Sequence, residues 1–228
     1  FSVSVGLTNL VAYGAYLRKE VNISRDASII VGADSLVAIL AGLAVFPIIF
    51  ANNIEPSSGP GLVFQALPIA FSQTAGGLIF GAVFFILLFF AALTSSIAMI
   101  EAPVSWLSDE TNLSRRMAAV TVGFVGFLLG SLAALSFNLL SDVRPISGLE
   151  ILSDKGFFDL FAFIASDVIM PLGGLMIAIF AGWVVKKNFS LDELFNGNKN
   201  IFYTIWLFLV RYVVPVLLIL LFYQIVTA

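Results

Sequence analysis

Ala91, Thr94, Ser95 and Met99 stand at i, i+3, i+4 and i+8, so on a helix they share one face. The two hydroxyls, with the second lone pair of the Ala91 carbonyl, would present hard oxygen ligands on that face. Such oxygens suit a small dehydrated cation. The plainer alternative is that hydroxyls in an apolar helix bond back to the carbonyl four residues earlier, or support close helix packing. Spacing alone does not separate the two. The stretch that carries them, FFAALTSSIAMI at 89–100, lies inside a run apolar enough to cross a membrane.

The elements that position these residues must live in lipid. Of 228 residues, 60% are hydrophobic and 11% charged, and the mean hydropathy is +1.06. A water-soluble domain averages about 45–50% apolar and about 25% charged residues. The chain therefore reads as an integral membrane protein. It has no Cys and no His, which removes disulfides, thiolate chemistry and imidazole ligands. No nucleophile and base pair is apparent, so an enzyme is not expected. Nothing in the sequence forms a basic patch for nucleic acid. Any bound ion must be held by oxygen.

A helix needs about 20 mostly apolar residues to span the hydrocarbon. Five stretches qualify, at about 27–50, 76–106, 117–139, 157–185 and 201–226; a partial helix occupies 1–17, and a lid-like or re-entrant external loop occupies 51–75. Loops 18–26, 108–116 and 186–199 carry eight Lys and Arg, whereas the loops on the other side, 51–75 and 141–156, carry Arg144 and Lys155. By the positive-inside rule the first set is cytoplasmic and the C-terminus extracytoplasmic. The chain opens at Phe1 with neither an initiator Met nor a cleavable signal, and reads as a single transmembrane piece, 1–228, of a longer protein.

Charge inside a span is costly and usually functional. Asp34, Glu101, Asp159, Asp167 and Arg211 fall within or near the spans. Glu101 and Asp159 are close enough to span ends to reach the interface. Asp34 lies nine residues beyond Arg25, about 13 Å along a helix, where a carboxylate needs a cation, a donor or a proton. In FSVSVGL, Gly6 lets a helix break, and free backbone groups at membrane depth are tolerated where they line a cavity or bind something.

Three segments, FSVSVGLTNLVAYGAY, FSQTAGGLIFGAVFFILLFFAALTSSIAMIEAPVSWLSDE and FFDLFAFI, resemble the neurotransmitter:sodium symporter family, in particular its bacterial amino-acid transporters. The resemblance spans the whole chain, from the second half of the family's sixth helix to its eleventh. It implies an all-α, polytopic membrane helix bundle: the second half of an inverted-repeat transporter, with a discontinuous first helix and one extra C-terminal helix. It further implies a sodium-coupled symporter in a bacterial inner membrane, importing an amino acid by alternating access. The missing N-terminal helices of the same protein would complete both ion sites. By resemblance, Ala91, Thr94 and Ser95 belong to one sodium site, Ser2 and Asp34 to another, and Phe1, Ser4, Leu7, Ser95 and Met99 to the substrate pocket. Asp159 resembles an outer gate, and Tyr16 and Asp109 an inner gate. Ser96 would pack or back-bond. Arg211 has no counterpart.

Several positions depart from the family pattern, among them Leu7, where an aromatic residue is common, and Met99, where Ile is common. Asp34 stands where many relatives have Asn, and Ala38 where chloride-dependent members have Ser and some chloride-independent members Glu. Fixed negative charge at Asp34 would balance a cation and make chloride unnecessary. Leu7 and Met99 make the pocket wall apolar and adaptable, which favours a neutral substrate with an apolar or aromatic side chain. The rival readings are an ion channel, which needs a more continuous polar lining, and a receptor-like or structural membrane protein of the same fold.

Overall fold

A computed structural model describes every residue of the chain except 1, 2, 4, 5, 7, 8, 19, 52–58, 147, 149–151, 196, 198, 199 and 228. Among the described residues the regular elements are helices: α1 (Asn9–Ala15), α2 (Ile23–Ala51), α3 (Leu62–Ser72), α4 (Gly77–Glu110), α5 (Arg115–Leu135), α6 (Phe157–Val184), α7 (Lys187–Phe195) and α8 (Ile201–Ile225). Five of them, α2, α4, α5, α6 and α8, are long and apolar enough to cross a membrane. The 34 residues of α4 extend about 51 Å at 1.5 Å per residue, well beyond a hydrocarbon core of about 30 Å. Its polar end therefore projects into water.

Two side chains set helix starts. Ser114 accepts the amide of Met117 at 3.4 Å to open α5, and Asn200 accepts that of Tyr203 at 2.9 Å to open α8. Each satisfies a backbone donor that the first helical turn leaves without a partner.

Inside α3, α6 and α8 the backbone widens into four π-helical segments among the described residues, Leu62–Ala66, Phe163–Ile169, Phe180–Val184 and Leu209–Val213, closed by bonds over five residues such as Met170 N to Ala165 O and Val214 N to Leu209 O. Three of them hold the residue four before a proline: Phe64 before Pro68, Asp167 before Pro171, Arg211 before Pro215; Phe180–Val184, at the end of α6, has no proline just after it. Proline has no N–H, and its ring collides with the carbonyl four residues back. The wider turn absorbs that collision while keeping the neighbouring carbonyls bonded. Both ionisable residues in the interior of α6 and α8 by sequence, Asp167 and Arg211, thus sit where their helices are already distorted.

The chain divides into two compact units. In the unit Arg25–Ala98, a small core of Ile49, Ala66 and Leu67 packs against Val45, Leu62, Phe71 and Phe84. The FSQTAGG turn joins α3 to α4. Thr74 donates its hydroxyl to the Ala70 carbonyl at 2.9 Å, and Gly77 N reaches Thr74 O at 2.9 Å. Gly76 takes φ 75°, which favours glycine. A Cβ on Gly77 would overlap the Phe71 carbonyl. The paired glycines are therefore a steric requirement of the turn.

The other unit holds Phe1–Ser24 and Met99–Ala228. Here Ser136 accepts the amide of Phe158 at 3.2 Å, fixing the end of α5 against the start of α6. Gly182 of α6 lies tightly against Arg211 and Val210 of α8, where an added Cβ would come within 3.0 Å of the Arg211 side chain, while Tyr203 ties α7 to α8 through Ser190 at 3.0 Å and the Lys187 carbonyl at 3.1 Å. The apolar windows of α2 and α8 have no residue buried inside the chain. A helix apolar all round requires lipid or further helices against it.

Candidate ion and substrate site

The three consecutive hydroxyls of α4 behave differently. Thr94 Oγ1 lies 3.0 Å from both the Phe90 and Ala91 carbonyls, to which it donates. Ser96 donates to Ala92 O at 2.8 Å. Ser95, between them, has no hydrogen-bond partner among the described residues. A hydroxyl has one donor and two acceptor lone pairs, so back-bonding consumes the proton of Thr94 and leaves its lone pairs facing outward. Back-bonding and cation ligation are thus compatible at Thr94. The 3.0 Å pairing also puts two expected ligand oxygens, the Thr94 hydroxyl and the Ala91 carbonyl, side by side. Among the described residues no group of three His, Cys, Asp or Glu could hold a metal.

Asp34 lies half-buried on α2, twelve residues into its helix and in the same compact unit as Ala91, Thr94 and Ser95. Met99 lies on the α4 face expected from its spacing and is 46% exposed. Four expected pocket and ion residues, Phe1, Ser2, Ser4 and Leu7, lie outside the described residues.

Their neighbour Gly6 is described, and its surroundings are specific. A Cβ on Gly6 would overlap the Met170 carbonyl, and a Cβ on Gly173 would overlap the Gly6 carbonyl. Backbone meets backbone where the sequence expects a helix break, and neither residue has room for a methyl group. Gly173 belongs to PLGGL, which follows the π-helical turn of α6. The site reading from the sequence missed it; a glycine pair just after a membrane proline was the available signal.

Of the gate residues, Tyr16 places its hydroxyl 3.2 Å from Ser105 Oγ. Ser105 donates to Glu101 Oε1 at 3.4 Å, and Arg115 NH2 bonds the same oxygen at 2.5 Å. Glu101, read from sequence as reaching the interface, is thus held by a cation across the short connection of α4 to α5. Asp109 is exposed and has neither hydrogen bond nor ion pair among the described residues. Asp159 is exposed in the first turn of α6, where a carboxylate complements the helix dipole. The structure therefore joins Tyr16 to Glu101 and Arg115, and leaves Asp109 and Asp159 apart from them.

The sodium:neurotransmitter symporter family model matches residues 1–228. The chain belongs to the sodium:neurotransmitter symporter family. Within it, the chain is 37% identical over 229 residues to YhdH, an uncharacterized sodium-dependent transporter of Bacillus subtilis, covering 99% of this chain and 49% of that protein. It is 35% identical over 223 residues to an uncharacterized sodium-dependent transporter of Haemophilus influenzae, covering 97% of this chain and 47% of that one. The sodium-dependent nutrient amino acid transporter 1 of Drosophila melanogaster is 28% identical over 240 residues, covering all of this chain and 35% of that protein. Among solved structures, the crystal structure of MhsT in complex with L-phenylalanine superposes with a TM-score of 0.89 at 38% identity, over 99% of this chain and 49% of MhsT. The all-α transporter fold expected from the sequence is the fold observed. The chain spans about half the length of the curated bacterial relatives it matches.

Proposed function

We propose that this chain is the second half of a sodium-coupled symporter that imports a neutral, apolar or aromatic amino acid by alternating access, without chloride. The observation that carries the reading is the oxygen set of α4: the Thr94 hydroxyl beside the Ala91 carbonyl, and the neighbouring Ser95 hydroxyl without a hydrogen-bond partner among the described residues. A membrane helix gains nothing from an unbonded hydroxyl, and a dehydrated sodium ion is a ligand it fits. The sodium-dependent relatives and the phenylalanine complex of MhsT support the same ion and substrate class.

In this reading Asp34 and Ser2 contribute to a second sodium site. Phe1, Ser4, Leu7, Ser95 and Met99 face the substrate, and the upstream helices of the intact protein complete both. Asp34 supplies the fixed charge that chloride supplies elsewhere. Each sodium ion entering down the membrane potential provides about 2.3 kcal/mol per 100 mV, or roughly fiftyfold accumulation. At the lysine-rich and arginine-rich end, Tyr16, Glu101 and Arg115 close the inner side, with Asp109 awaiting an upstream partner; Asp159 serves the outer side. The loop charges support a cytoplasmic position for that end and a C-terminus outside a bacterial inner membrane.

Uptake by the full-length protein in liposomes tests this directly. A sodium gradient should drive accumulation of Phe, Leu or Trp, unchanged when gluconate replaces chloride. Uptake that ignores sodium, or a competition series in which Asp, Glu or Lys displaces Leu and Trp, would overturn the reading.

A further inference from the structure

Arg211 falls near the middle of α8, yet its side chain ends elsewhere. Its Nε donates to the Gly182 carbonyl, and its guanidinium lies over the Trp183 ring, 5.7 Å from the centroid. Gly182 is near the C-terminal end of α6, where helix carbonyls lack intrahelical donors, so Arg211 caps a helix in its neighbour and complements its dipole. Lys186 follows Gly182 by four residues, just past the end of α6 at Val184. The charge therefore sits at the rim of the apolar span and not at its centre.

The cap uses one of five N–H donors. Among the described residues no carboxylate lies within ion-pair distance of Arg211, Lys186 or Lys187, and both lysines are exposed. Trp183 and Tyr212, edge to face at 5.9 Å, flank the guanidinium and are more than half exposed, as interfacial aromatic rings are. Asp192 and Glu193, the nearest acids in sequence, lie further along α7. Three cations and two amphipathic rings at one end of two adjacent helices match a phosphate bearing acyl chains.

We propose that Arg211, Lys186 and Lys187 bind the phosphate of an anionic phospholipid at this end of α6 and α8. Delipidated full-length protein, titrated with phosphatidylglycerol or phosphatidylcholine and read by native mass spectrometry, tests the site independently of transport. A saturable phosphatidylglycerol adduct is expected, weakened at least about fivefold in Arg211→Gln, the factor for about 1 kcal/mol per basic residue at an anionic surface. Should Arg211→Gln fail to fold for want of its cap, the exposed Lys186→Gln/Lys187→Gln double variant should weaken the adduct in the same direction. Unchanged phosphatidylglycerol binding in either folded variant, equal binding of phosphatidylcholine, or displacement by millimolar inorganic phosphate would overturn the proposal.

Discussion

The middle of α4 and the contact of Gly6 with α6 solve the same problem in opposite ways. Both bring polar groups to membrane depth, where water cannot satisfy them. In α4 the helix stays regular, and polarity is added through side chains: Thr94 and Ser96 donate to their own backbone, and Ser95 does not. At Gly6 the side chains are removed, and the backbones of Gly6 and Met170–Gly173 meet directly. One region keeps the ladder and lends oxygens from it. The other gives up side-chain volume so that Gly6 can lie against α6. A stretch of the first kind tolerates conservative change at most positions; one of the second kind tolerates none that adds a carbon.

The largest effect should come from breaking the backbone contact. Gly173→Val places two methyl groups where the Gly6 carbonyl lies, so full-length protein should lose about 3 kcal/mol or more, at the upper end of overpacking costs, with a clear drop in thermal stability in detergent. Normal stability and uptake in that variant would mean the contact is dispensable. Next in size, Thr94→Val keeps shape but removes the proposed ligand oxygen; half-saturating sodium for uptake should rise at least about tenfold, the equivalent of about 1.4 kcal/mol, with the fold retained.

Glu101→Gln should act on the cycle more than on stability. Its partner Arg115 is 60% exposed at the side chain, and exposed pairs contribute about 0–1 kcal/mol. Thermal stability should therefore barely move, while a cysteine reporter on the cytoplasmic pathway of the full-length protein should label faster. Unchanged labelling would remove Glu101 from the gate. The smallest effect belongs to Ser96→Ala, which deletes a back-bond to Ala92 and should shift stability by less than about 0.5 kcal/mol, with sodium dependence unaltered.

The sequence made the apolar helices readable because lipid demands long runs of one kind of residue, and the i, i+3, i+4 spacing of Ala91, Thr94 and Ser95 placed them on one face before any coordinates. Other features depend on partners far apart in sequence. Glu101 looked like an interfacial acid because its cation, Arg115, sits across a helix end, and sequence distance says nothing of which way a side chain turns. Gly173 needed Gly6, more than 160 residues away, to show why it has no side chain. Three of the π-helical turns have a signal in Pro68, Pro171 and Pro215, the turn at Phe180–Val184 has none, and a membrane proline alone does not distinguish a kink from a widened turn. Arg211 is the sharpest case: counted along α8 it is deep, and only the neighbouring helix reveals that its charge lies at the end of α6.

The central claim is that Ser95 keeps its oxygen free for an ion while Ser96 spends its proton on the helix. Sodium titration of amino-acid binding to the full-length protein, for Ser95→Ala and Ser96→Ala side by side, tests it most directly. Half-saturating sodium should rise by about tenfold or more in the first and stay at the wild-type value in the second. Equal sodium affinity in the two variants would contradict the account.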